Sequence, residues 1–149
     1  MSALGDVKTA IKTKLNELTT STPTAILAEV QEDDLKIGLL ERDIVAYPCA
    51  ILTTPSIESG AETNRDNTRI YTFEIVVVQK QENITSATDI ETLAEAILDK
   101  FDNDPTLGGK ADAGLEPAIS SPQAAIARGK GVIFFSVILR AKKVITLTF

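Results

Sequence analysis

Apolar residues recur at helical spacing in two stretches of the chain. Over residues 4–18, Leu4, Val7, Ile11, Leu15 and Leu18 fall 3, 4, 4 and 3 positions apart, which puts one apolar stripe on a helix. Lys8, Lys12 and Lys14 lie mainly off that stripe, Ser2 is the candidate cap, and TTSTP with Pro23 is the stop. Over residues 87–102, Ile90, Leu93, Ala94, Ile97, Leu98 and Phe101 repeat the pattern. Thr88 with Glu91 fits a capping box there, and Ser86 is a competing cap.

Most of the rest reads as strand and turn. TAILAEV (24–30) predicts a strand, and residues 31–43 predict a polar loop or a short helix capped by Asp33. YPCAILTTPSI (47–57) predicts a second strand, with Pro48 and Pro55 marking an edge or a boundary. ESGAETNRDNT (58–68) reads as a polar loop, and RIYTFEIVVVQK (69–80) as the clearest strand. Residues 118–128 predict a strand interrupted at Pro122, then a turn at Gly129-Lys130-Gly131, then the strand GVIFFSVILR and strand-like VITLTF. Two helices and several strands without regular alternation predict an α+β fold. Its sheet is mainly antiparallel, with about four to five strands and two principal helices packed on one face. At 149 residues the chain suggests one domain, 1–149. Residues 131–149 as one strand would span about 63 Å, against a domain diameter of about 40 Å. That segment must therefore bend, around Ala141–Lys143, or project as a C-terminal strand over 142–149.

LDKFDNDPTLGG (98–109) carries acids, a proline and two glycines at a helix end. As a calcium loop it fails, because Leu107 and Ala113 fall where a glycine and a bidentate glutamate are needed. Gly129-Lys130-Gly131 fails as a phosphate loop, with Ala124 at the earlier glycine position and no Ser or Thr after Lys130. The stretch is complete as a helix stop. Lys100 suits the helix dipole, Asn103 suits a left-handed cap, Pro105 blocks continuation, and Leu107 folds back on the apolar face.

Chemistry is scarce in the composition. There is no histidine, which removes the commonest general base and metal ligand. Cys49 is the single cysteine, inside an apolar run; it reads as a buried structural residue in a chain compatible with a reducing cytoplasm. No apolar run approaches 18 residues, so no membrane span is predicted, and the N-terminus lacks the apolar centre of a signal peptide. Charge is uneven. Residues 117–149 hold five basic residues and no acid, which leaves −11 on residues 1–116 of a net −6. Acidic and basic parts in one subunit suit association of copies, or the basic residues simply sit on solvated loops and a strand edge.

In order and character, these elements resemble phage tail terminator proteins, also called tail completion or minor tail proteins. The resemblance covers most of the chain and rests on the N-terminal helix, YPCAILT, TRIYTFEIVVV, IETLAEAILDKFDNDPTLGG and GVIFFSVILR. Its most telling part joins an R-x-Y-x-F strand, an amphipathic helix and a D-P-T-L-G-G exit. The resemblance implies a virion protein of the tail or neck, assembled in the bacterial host cytoplasm. It implies a homo-oligomeric, hexameric ring that caps the tail tube protein and docks the head–tail connector. Genomic DNA would pass through the lumen without sequence readout, and neither cofactor nor catalytic residue is expected. A neighbouring head completion protein is the alternative, and an unrelated small ligand-binding domain a more distant one. Candidate interface residues come from the long loop and the C-terminal third. They are Glu58, Glu62, Arg65, Asp66 and Arg69, with Arg128, Lys130, Arg140, Lys142, Lys143 and Phe149.

Overall fold

The computed structural model describes residues 3–20, 25–36, 38–61, 66–112 and 115–146. Ser2, Pro23, Glu62, Arg65 and Phe149, singled out above, lie outside these residues. The chain runs α1 (Ala3–Leu18), β1 (Glu29–Glu32), β2 (Cys49–Leu52), β3 (Ser56–Ala61), β4 (Asp66–Lys80), α2 (Ala87–Asp102), β5 (Ala118–Ile119), β6 (Gln123–Ala127) and β7 (Lys130–Thr146). The fold is α+β. Its spine is the antiparallel ladder of β4 with β7, unbroken from Lys80↔Val132 to Asp66↔Thr146. The other side of β4 takes β2 against Ile75–Val78 and β3 against Asn67–Thr72. On the outer side of β7 lie β5 and β6, and β1 adds to β2 as the parallel pair.

The sheet has seven strands rather than four to five, for a local reason. Pro55 and Pro122 lack the amide a ladder needs, so each splits one expected strand into two, β2/β3 and β5/β6. The expected polar loop 58–68 is mostly a β-hairpin, with Glu58↔Ile70 through Ala61↔Asn67 in register. Both faces of that hairpin meet solvent, so it shows none of the alternation that marks a half-buried strand. The expected first strand begins later. Ile26 and Leu27 donate to the Leu18 carbonyl and Ala28 to that of Pro48, so the chain is tied to the α1 terminus before the ladder starts. The bend expected around Ala141–Lys143 does not interrupt the ladder, since Tyr71↔Ala141, Ile70↔Lys142 and Arg69↔Lys143 stay paired.

Both helices cover one face of the sheet. Val7, Ile11, Leu15 and Leu18 of α1 and Ile90, Ala94, Ile97 and Phe101 of α2 are buried against Tyr71, Phe73, Ile75 and Val77 of β4 and Phe135, Val137, Leu139 and Ala141 of β7. Period-two alternation sends the intervening residues to the other face. There a smaller cluster of Cys49, Ile51, Val76, Val78, Ala127 and Val132 lies beneath Leu39, Ile44 and Tyr47. Burial pushes the Cys49 thiol up to about 12, with the Glu29 carboxylate adding to it, so the thiol is inert at neutral pH.

The segment over that second face is held by Arg42, whose side chain is only 14% exposed. Its Nε donates to Gln31 Oε1 at 2.8 Å, Nη2 to the Glu32 carbonyl at 3.2 Å, and Nη1 lies 3.4 Å from Asp33 Oδ1. Asp33 caps no helix; its Oδ1 instead accepts from the amide of Leu35, which has a left-handed φ of 65°. Arg42→Ala leaves these acceptors without their donor and is expected to destabilise the protein by about 2 kcal/mol. A denaturant midpoint unchanged from wild type would contradict that.

The helix stop keeps its direction but not its expected cap. Asn103 stays right-handed at φ −73°, and its amide still donates to Asp99. The left-handed residues are Leu107, Gly108 and Gly109, at φ 54°, 66° and 89°. Burying Leu107 against the helices, at 3% exposure, needs the extra turns before the chain reverses. Asp104 Oδ1 accepts from the Gly108 amide, and its Oδ2 pairs with Lys14 at 2.9 Å. At the start of α2, Ser86 occupies the cap position without a side-chain bond, and the Asp89 carboxylate reaches back to the Thr85 amide and hydroxyl.

The off-stripe lysines of α1 tie that helix to its neighbours. Lys8 and Lys12 both reach Glu32 at 2.8 Å, and Lys100 of α2 reaches Glu17 at 2.6 Å. Lys12, then Lys8, lowers the Glu32 pKa; Lys100 lowers that of Glu17, and Lys14 that of Asp104. Each folded-state pKa lies below its unfolded value. The stabilisation is thus present above the ordinary carboxylate range and lost as pH falls through the folded values. The melting temperature is expected to hold from pH 7 to about 5 and to drop below about 4.5. A melting temperature that rose on acidification would contradict this.

Candidate functional site

The clearest unburied feature is a three-stranded ribbon at one end of the sheet. It consists of β3, the first five residues of β4 and the end of β7. Tyr71 and Ala141 are the last core residues on their strands in this direction. Among the described side chains of 56–60, 66–70 and 142–146 none is buried. Ile57, at 54% exposure, and Ile145 lie on the helix side, while Ile70 and Val144 lie on the opposite one. Three strands with apolar residues on both faces and, among the described residues, no helix or second sheet over either are short of the burial a sheet ordinarily needs.

Five of the expected interface residues meet on this ribbon, and a sixth, Arg140, stands at its border. Glu58 is exposed and flanks Ile70, whose other neighbour is Lys142, so both charges share the face away from the helices. Asp66 opposes Thr146, and Arg69 stands between Ser59 and Lys143 on the helix side. Arg140 opposes Thr72 and approaches Glu116 Oε2 at 3.4 Å. Lys143 Nζ lies 3.4 Å from Asp112 Oδ1.

Arg128 and Lys130 are not part of this group. Lys130 starts β7, ten positions before Arg140, or about 33 Å along an extended strand. Arg128 and Gly129 form the two-residue loop between β6 and β7, both left-handed at φ 52° and 78°. Arg128 lies 3.8 Å from Asp43, and Lys130 borders an open groove with Lys80, Gln81 and Glu82. The segregation of acid and base along the sequence is therefore not a segregation in space. Arg128, Arg140 and Lys143 each face a carboxylate from residues 1–116 of the same chain.

Sequence reasoning missed two residues here. Ile57 was expected to close the second strand, 47–57, yet it is an exposed residue of the separate strand β3. Asp112 was not singled out, yet its carboxylate accepts from the Val144 amide and its own amide donates to the Lys142 carbonyl at 2.8 Å. That contact joins residues 32 positions apart, and no local pattern announces it. Among the described residues no group of three or more Cys, Asp or Glu side chains is placed to hold a metal ion.

Among solved structures, a chain from the virion of a native gene transfer agent particle has the same fold. The likeness has a TM-score of 0.58 over 95% of this chain and 96% of that chain, at 13% sequence identity. No protein-family model matches the sequence, and no curated protein matches it.

Proposed function

We propose that this protein is a structural component of a phage-like virion, and within it a tail terminator acting as a ring. The carrying observation is the end-to-end likeness to a virion chain, which leaves little of either chain outside the common fold. The ribbon supports the ring. A closed ring needs two different patches on each subunit meeting head to tail. A ribbon outside the core, with Glu58 on one strand and Arg140 and Lys142 on another, offers such patches.

In this reading residues 1–149 act as one domain, and residues 142–149 project from it as a C-terminal strand. Copies of the chain form a hexameric ring, as the family resemblance implies. One face of the ring meets the tail tube protein and stops its polymerisation. The other receives the head–tail connector, and genomic DNA passes through the lumen without sequence-specific contacts. The reading calls on no cofactor and no membrane. The test is binding of purified protein to bare tails and to DNA-filled heads, followed by electron microscopy. A terminator binds the free end of bare tails. Binding to heads alone would assign it to the neck instead.

A further inference from the structure

Beyond position 138, no β-strand among the described residues pairs with the outer edge of β7, and one side chain sits there in place of a strand. Asp112 donates its amide to the Lys142 carbonyl at 2.8 Å and accepts the Val144 amide on Oδ2 at 2.6 Å. These groups flank Lys143. They are the pair that one residue of an adjacent parallel strand would engage, giving its N–H to the carbonyl before and its C=O to the amide after. In Asp112 the carboxylate replaces that main-chain carbonyl, and its other oxygen faces Lys143 Nζ. Four positions on, Glu116 faces Arg140 on the same edge. The edge is thus occupied from within its own chain by an acidic imitation of a strand.

We propose that the outer edge of β7 from Arg140 to Thr146 is a docking edge for an extended strand of a second copy, and that Asp112 keeps it closed in the free protein. The inference rests on the ring reading and identifies the contact that the ring uses. Charge selects the occupant. Arg140, Lys142 and Lys143 make pairing of two β7 edges repulsive, and the edge already holds acids in cis. Within the chain, β3 is the complementary strand. One of its edges pairs with β4, Ser56–Gly60 are all exposed, and Glu58 stands at its middle. An edge of this kind invites pairing unless guarded, and a charged residue set into it is an economical guard. Closure in the free subunit also delays polymerisation until the tail end or a neighbour displaces Asp112.

The test compares full-length wild type with Asp112→Ala. Hydrogen exchange reads the Val144 amide, and sedimentation velocity reads mass across concentration. The proposal expects exchange at Val144 faster by roughly tenfold in the dilute variant, and association at a concentration lower by roughly tenfold. Adding Glu58→Arg to Asp112→Ala should return the protein to monomer. Unchanged association with an exchanging Val144 amide would overturn the guard, and association indifferent to Glu58→Arg would overturn the occupant. Should Asp112→Ala melt early, Asp112→Asn retains an acceptor oxygen without the charge and should move both readouts in the same direction, by less. Wild-type protein that caps tubes while Asp112→Ala leaves mass unchanged would refute this contact and spare the ring. Guarded association without tube binding would do the reverse.

Discussion

Removing residues 144–149 is expected to leave a folded protein that no longer limits tail-tube length. Of the segment removed, Val144, Ile145 and Thr146 pair with Asp66–Thr68, and none of the three is buried. Nothing in the helix-side core depends on them, because Ala141 is the last core residue of β7. The stability change should stay within about 1 kcal/mol, or roughly 4 °C in melting temperature. The functional change should be large, since the truncation takes Val144–Thr146 from the β7 edge at which the proposed ring contact forms. Circular dichroism and tube-length counts check the two halves of this expectation. Normal tube termination by the truncated protein would remove the C-terminal strand from the mechanism.

The opposite separation is expected of Phe101→Ala. Phe101 is fully buried at the last turn of α2, in the cluster that also holds Leu107, Ala111 and Leu115. Its ring seats the helix stop against the sheet, and the chain leaving that stop carries Asp112 to the β7 edge. Loss of a buried aromatic ring from a closed site costs about 3–5 kcal/mol. For a chain of this size that lowers the melting temperature by roughly 10 °C. Below its new transition the variant should still cap tubes, because no ribbon residue has changed. A melting temperature within a degree or two of wild type would mean that the helix stop is not anchored as described.

The two helices were legible because each buries a single stripe, and that stripe repeats at 3 and 4. Val7, Ile11, Leu15 and Leu18 are buried as the spacing requires, and α2 spans 87–102 as read. The spine strands were legible for a similar reason, with Tyr71, Phe73, Ile75 and Val77 alternating onto one face. The ribbon was not. Glu58 and Ser59, like Asn67 and Thr68, put polar side chains on both faces, so a strand there has the pattern of a loop. Pro55 and Pro122 were read as marks of an edge or an interruption, but their division of each strand into two partners depends on what lies across the sheet. The Asn103 cap failed because the burial of Leu107, four residues later, decides where the chain turns. The candidate interface was legible only as a set of charges. That five of them share one ribbon, with Arg140 at its border, while Arg128 and Lys130 sit at the far end of β7 follows from register, which no composition contains.

In the proposed function this chain works by capping: copies assemble on the end of a tail tube and stop its growth. The most direct measurement adds the wild-type protein to polymerising tail tube protein of the same particle and records tube lengths by negative-stain microscopy. The account predicts short tubes that stop growing, each bearing a ring of added density at one end. Tubes of unchanged length with bare ends, at protein concentrations saturating for binding to the particle, would contradict it.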